Sequence, residues 1–285
     1  MILYSANDSG GANLILHHLL RSTTLEKSLA VLSGPAMKVA TDLGIAFQKN
    51  QNIIDWKTVE LLIAGSSYPK PPKLHDKLLK KAQNIDVLTV GVLDGWENFS
   101  IRWPLALPDQ IWVMDRYAFD LAREQYPSTE IHQTKNYYLE FLKENISKVG
   151  AMKNYQGKVL YLDSPRRSRF DEAGAIHKNN CICPILRTIK KYLDPTSISV
   201  RRHALTNPQK CVERQNSELH NCKIEISRSV HLYQNLQDSN VIVGKPSYAL
   251  FAAKELGYEC YATDQLDSRS SPKFVELPFD LRSTS

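Results

Sequence analysis

No apolar run in the 285-residue chain approaches the roughly 20 residues that cross a bilayer. The opening MILYSANDSGG enters a strand at once and lacks the basic-then-apolar pattern of a secretory leader. Cytoplasmic location is therefore the expectation. Cysteine is scarce and odd in number, five in all, which speaks against a disulfide framework. Cys181 and Cys183 are spaced Cys-x-Cys without a Cys-x-x-Cys pair, so reduced thiols are preferred to a zinc site. No Asp-x-Asp occurs, and a metal-chelated nucleotide diphosphate is therefore not indicated. The Gly-x-Gly-x-x-Gly dinucleotide fingerprint is missing too. Neither metal nor cofactor is expected, and no low-complexity tract or short repeat interrupts the chain.

What remains is an ordinary globular composition, 42% apolar and 23% charged. The net charge of +6 is unevenly spread: residues 1–150 carry 16 Lys and Arg against 16 Asp and Glu, and residues 151–285 carry 20 against 14. A basic second half suits an anionic ligand, although a solvated basic surface produces the same count. The basic residues are dispersed and no recognition motif accompanies them, so nucleic acid is not an expected partner.

Short apolar strands alternate with helices along the whole chain, which points to α/β architecture with parallel, doubly wound sheets. Strands are expected at Ile2–Ala6, Leu29–Ser33, Glu60–Ala64, Val87–Leu93 and Gln110–Met114, then at Lys158–Leu162, Ser197–His203, Lys223–Ser227, Val241–Val243 and Glu259–Thr263. Helices are expected at 12–25, from near Pro35, and at 73–82, 117–125, 131–148, 181–193, 230–237 and 248–256. Asp115 is placed to cap the fourth of these. Gly150 and Gly157 bracket a linker, and the expected domains are 1–150 and 151–285.

Ligands on such sheets collect at the carboxyl ends of strands. In the first half those ends hold Asp8 with Gly10 and Gly11, then Ser66 and Ser67, then Asp94 with Trp96 and Glu97. In the second they hold Ser164 with Arg166 and Arg167, then Arg202 and His203, then Lys245 and Ser247. The first set is small and acidic; the second is basic and hydroxylated. The division fits group transfer, with an anionic donor held by the second domain and an acceptor hydroxyl deprotonated by the first. Asp94 is the first choice of base and Asp8 the second; a turn or cap aspartate is the competing account of Asp94. Gly10, Gly11, Ser66, Ser67, Trp96 and Glu97 are the acceptor-side candidates. Clustered aromatics are commonly core, and Trp96 is the candidate exception.

The stretch Asn240–Thr263 is a strand–helix–strand unit in which Pro246 opens a helix and Ser247 falls in its first turn. Its Ser-x-Ala-Leu sequence at Ser247–Leu250 resembles the donor-binding end of GT-B glycosyltransferases, bacterial surface-polysaccharide enzymes above all. Ser197–His203, before Asn207-Pro208, resembles the strand that ends in Arg-x-His-Pro in sialyltransferase-like and Kdo-transferase-like members, with Ala204 where those have Pro. Leu93-Asp94-Gly95 resembles the acidic-Gly motif that carries their base, and the run from Gly65 to Val113 is similar to polysaccharide transferases. The resemblance implies two Rossmann-like domains facing across a cleft and an inverting, metal-independent transfer. The donor would be a CMP- or UDP-linked sugar held by Ser164, Arg166, Arg167, Arg202, His203, Lys245 and Ser247. The acceptor would be a hydroxyl of a surface glycan or glycolipid, with peripheral contact to the inner membrane. Two alternatives stay open: a sugar-nucleotide epimerase or hydrolase on the same fold, and a non-catalytic binding module.

Overall fold

The computed structural model describes all residues except 23–24, 68–71, 97–98, 148–156, 164–181, 204–206, 230, 246, 264–273 and 276–285. The chain divides between Phe141 and Leu142 into two compact units. The division falls inside one helix, Tyr137–Ser147, designated α5.

In the first unit six parallel strands form one sheet. They are β1 (Ile2–Ala6), β2 (Ser28–Leu32), β3 (Leu61–Gly65), β4 (Leu88–Val92), β5 (Gln110–Val113) and β6 (Glu130–Gln133), in the order β2-β1-β3-β4-β5-β6. The strand order reverses between β1 and β3, which makes their carboxyl ends a topological switch point. Helices α1 (Ser9–Arg21), α2 (Ala36–Asp42), α3 (Leu74–Gln83) and α4 (Arg116–Gln125) connect the strands. The central strands are nearly continuous apolar runs because helices cover both faces of a parallel sheet. Leu3, Leu62, Ala64 and Ile111 of the strands pack with Leu78, Leu79 and Ala82 of α3 and Ala118 and Ala122 of α4.

The second unit repeats the plan. Strands β7 (Lys158–Leu162), β8 (Ser197–Arg201), β9 (Lys223–Ile226), β10 (Val241–Gly244), β11 (Glu259–Thr263) and β12 (Phe274–Val275) lie in the order β12-β11-β10-β7-β8-β9. All pair in parallel except β12, which is antiparallel to β11. This is the Rossmann order, with its switch point between β7 and β10. Helices α6 (Cys183–Leu193), α7 (Gln209–Glu218), α8 (Leu232–Gln237) and α9 (Tyr248–Glu255) connect the strands. Ile182, Ile185, Leu186 and Ile189 fall on one stripe at helical spacing and bury against Ile198, Val200, Val241 and Val243.

Four expectations are corrected. Residues 131–148 are not one helix: Glu130–Gln133 pairs with β5 as an edge strand, and the helix begins only at Tyr137, where Asn136 Oδ1 accepts the Leu139 N–H at 3.0 Å. Helix α1 starts at Ser9 rather than Ala12, which brings Gly10 and Gly11 into its first turn. Ser247 is the N-cap of α9 rather than a first-turn residue, its Oγ accepting the Leu250 N–H at 3.4 Å. Helix α7 and strand β12 carry no clear apolar pattern and were not expected. No helix among the described residues is long and apolar enough to cross a membrane.

Candidate functional site

The first unit gathers its polar side chains at the carboxyl ends of β1, β3, β4 and β5. Glycine sets the spacing. A Cβ on Gly11 would stand 2.7 Å from Ser66 O, and one on Gly65 would stand 2.8 Å from Gly11 C, so α1 rests directly on the end of β3. A Cβ on Gly10 would come within 2.2 Å of Asp94 Oδ2. The carboxylate at the end of β4 is thus turned toward the start of α1, where the helix field favours negative charge.

Asp94 Oδ1 is held by Ser66 Oγ, which donates at 2.9 Å, and by Arg102 Nη1 at 2.6 Å. The ion pair is largely shielded, with the two side chains 12% and 14% exposed. Arg102 arrives from the loop after β4, and that loop is anchored at glycine as well. A Cβ on Gly91 would meet Trp103 Cζ2 at 2.5 Å and Pro108 Cγ at 2.6 Å, so the loop folds flat onto the strand it has just left.

The remaining sequence candidates of this unit fall nearby. Ser66 and Ser67 are both buried; the first serves Asp94, and Ser67 Oγ lies 3.2 Å from His75 Nε2. Trp96 is half-buried against the core, and its indole N–H donates to the Asp115 carboxylate at 3.0 and 3.2 Å. Asp115 caps α4 as expected, accepting the Ala118 N–H at 2.8 Å. Burial raises the Asp115 carboxyl above the ordinary range, against these hydrogen bonds. Asp8 is the N-cap of α1 and accepts from Asn7 Nδ2 at 2.6 Å, while Ser33 Oγ donates to Asn7 Oδ1 at 3.0 Å. Glu97 lies outside the described residues.

In the second unit, Ser164, Arg166 and Arg167 lie outside the described residues. Arg202 is exposed and His203 half-buried just past β8; Lys245 and Ser247 are half-buried where β10 gives way to α9. Strands β8 and β10 flank β7, so their ends lie two strand spacings apart, about 9.5 Å. A Cβ on Gly244 would stand 2.9 Å from Leu162 Cβ, which packs the end of β10 closely on β7. Arg201 turns inward, where its Nη1 donates to Ser229 O at 3.2 Å, to His231 O at 3.4 Å and to Asn235 Oδ1. Asn235 in turn donates to Ser227 Oγ, and the loop after β9 is thereby fixed.

Sequence reasoning missed Arg102, His75 and Asp76. Arg102 has no local signal, because its meeting with Asp94 depends on a loop folding over Gly91. His75 and Asp76 open α3 just after Pro71 and Pro72, a position that marks a helix start but not what it faces. Among the described residues, no three His, Cys, Asp or Glu are grouped as metal ligands.

No protein-family model matches the chain, and no curated protein sequence does. Solved structures share its fold, three of them as follows. UDP-GlcNAc 2-epimerase from Neisseria meningitidis, bound to UDP-GlcNAc, aligns at a TM-score of 0.62 and 14% identity over 92% of this chain and 82% of the other. MnaA of S. aureus, in a co-structure with UDP, aligns at 0.61 and 13% identity over 91% and 78%. A putative UDP-N-acetylglucosamine 2-epimerase from Listeria monocytogenes aligns at 0.59 and 13% identity over 91% and 78%. At these identities the likeness shows the fold, and the chain has the α/β architecture of two Rossmann-like units of the GT-B type.

Proposed function

We propose that the chain is a glycosyltransferase, inverting and metal-independent, that moves a sugar from a nucleotide-sugar donor to a hydroxyl of a glycan or glycolipid. The observation that carries this reading is the setting of Asp94. One of its oxygens is fixed by Arg102 and Ser66, and the other is turned to a glycine at the switch point of the first sheet. A carboxylate so fixed is suited to general-base work, because its orientation does not have to be organised at each turnover. In this reading Asp94 takes the proton of the acceptor hydroxyl as that oxygen attacks the anomeric carbon. The bond from that carbon to the donor phosphate breaks, and the nucleotide leaves with the electron pair. The charge on the leaving phosphate is met by the positive end of α9 and by Lys245, with Arg202 and His203 two strands away. A glycolipid acceptor would bring the enzyme to the inner-membrane surface.

A second reading, a nucleotide-sugar epimerase or hydrolase, has its own observation. Asp115, at the end of the next strand, is a buried carboxylate, with a raised proton affinity, joined through Trp96 to the loop after Asp94. Proton removal and return at a sugar carbon calls for two acid–base groups.

The test is thermal unfolding with CMP, CDP, UDP, GDP and dTDP on the wild type, Ser247→Ala and Arg202→Ala. A nucleotide present at a hundred times its Kd stabilises the folded state by about 2.7 kcal/mol. The expected result is a shift with one nucleotide that is lost in both variants. The sugar conjugate of that nucleotide then separates the readings. Free nucleotide or an inverted sugar centre without any acceptor supports the second reading, and binding without turnover supports a non-catalytic module. Asp94→Asn is expected to lower transfer by about a hundredfold or more, and full turnover in that variant removes Asp94 from the chemistry.

A further inference from the structure

Behind Asp94, β3 runs out into two adjacent buried serines whose hydroxyls go to different partners. Ser66 Oγ donates to Asp94 Oδ1 at 2.9 Å and accepts the Asp94 N–H at 3.3 Å. Ser67 Oγ lies 3.2 Å from Nε2 of His75, the second residue of α3. His75 is 0% exposed and Asp76 2%. Asp76 Oδ2 accepts the Lys73 N–H at 2.7 Å, and its Oδ1 stands 3.5 Å from His75 Nε2. His75 Nδ1 and Asp76 Oδ1 are both buried without a hydrogen-bond partner.

These contacts assign the tautomer. With the proton on Nε2, the imidazole donates toward Ser67 and faces Asp76, and Nδ1 keeps a lone pair. A second proton on Nδ1 would leave an N–H with no acceptor in a dry interior. Burial lowers the proton affinity of His75; Asp76 on the same helix and Asp94 from the end of β4 oppose that, and Lys73 adds to it. Asp8, from the end of β1, faces Asp76. Two carboxylates act on the ring, and yet it is built to stay neutral.

We propose that His75, in its uncharged Nε2–H form, is a positioning residue for Asp94. It pins the Ser66–Ser67 strand end that supplies the Asp94 hydroxyl bond, and protonation of its ring releases that end. The role of Asp94 as base is taken from the proposed function, whereas the coupling of the two residues is measured without it.

The experiment tracks the Asp94 side-chain carboxyl by carbon-13 NMR from pH 8 down through the titration of the His75 ring in the wild type, His75→Gln and His75→Phe, with Asp94→Asn to identify the signal. Gln places an N–H near the Nε2 position and does not titrate; Phe keeps the ring and loses the bond. The expected result is a step in the Asp94 signal at the midpoint of the His75 ring titration. That step vanishes in His75→Gln, and in His75→Phe the signal stays at all pH at the value the wild type reaches in acid. A wild-type Asp94 signal with no step at the His75 midpoint, or the same step in His75→Gln, overturns the proposal. No substrate is involved, so the result stands whatever the enzyme reading becomes. Once turnover is in hand, His75→Phe is expected to lower kcat about tenfold or more with KM little moved. His75→Gln is expected to recover most of it and flatten the acid limb. Equal losses in the two variants would make His75 a packing residue and overturn the positioning role.

Discussion

Gly10 is the residue on which the Asp94 geometry is most exposed to a single methyl group. At 2.2 Å from Asp94 Oδ2, an added Cβ has no room, and the nearest atom belongs to a carboxylate already tied to Ser66 and Arg102. Gly10→Ala should therefore push Asp94 aside or lift the first turn of α1. We expect a stability loss of about 1 to 3 kcal/mol in urea unfolding and a drop in turnover comparable to that of Asp94→Asn. Normal turnover in a folded Gly10→Ala protein would mean that Asp94 need not stand where it does. Asp94 and Gly10 were legible in the sequence for the same reason: each comes just after a short apolar strand, where a parallel sheet presents its ligand face. Arg102 was not legible. Its pairing is made eight residues downstream of Asp94, across a loop whose path is set by Trp103 lying on Gly91. His75 was hidden for a related reason, since nothing in the sequence distinguishes a histidine in a helix's first turn facing solvent from one facing a strand end.

Among the described residues strand β9 is an edge of the second sheet, and one amide covers its middle. Asn216 of α7 donates through Nδ2 to Ile224 O at 2.7 Å and accepts the Ile224 N–H at 2.8 Å, filling the place that a neighbouring strand would take. Asn216→Ala leaves both groups of Ile224 without that partner. The expected outcome is a loss of about 1 to 3 kcal/mol together with concentration-dependent self-association in light scattering. A monomeric variant of unchanged stability would show that the edge is guarded by other means. The same helix marks the limit of reading elements from sequence. The strands were found because their apolar runs are buried on both faces; α7, of sequence QKCVERQNSE, buries only Val212 and Gln215 and so offers no stripe. Strand β6 failed in the same manner. Glu130 and Gln133 are exposed, Ile131 is its single apolar residue, and α5 begins four residues after its end, so by pattern alone the strand and α5 merge into one apparent helix.

For the molecule as a whole, acid is the condition that tests the burial of polar groups in the first unit. In the first unit, burial lowers the proton affinity of His18 and His75. His18 lies against Tyr4, Trp112 and Tyr137, with the Tyr4 hydroxyl 3.1 Å from its Nδ1. A histidine whose folded pKa is depressed is neutral in the fold and charged in the unfolded chain below about pH 6.5. The unfolded state then binds more protons, so the stability contributed above that pH is lost as pH falls toward the folded value. Asp76 and Asp115, raised by burial, work in the opposite sense: what they contribute is present in acid and is lost as pH rises from about 3.9 toward their folded values. Between pH 7.5 and 5.5 the unfolded chain's histidines take up protons, with a slope for His75 of no more than about 1.4 kcal/mol per pH unit. The unit can be watched by itself, because all four tryptophans, Trp56, Trp96, Trp103 and Trp112, belong to it. Urea unfolding monitored by tryptophan fluorescence should give a midpoint that falls between pH 7.5 and 5.5. The fall should shrink in His75→Gln and shrink again when His18→Phe is added. A midpoint that falls equally in the wild type and the double variant would assign the acid sensitivity to groups other than these two rings.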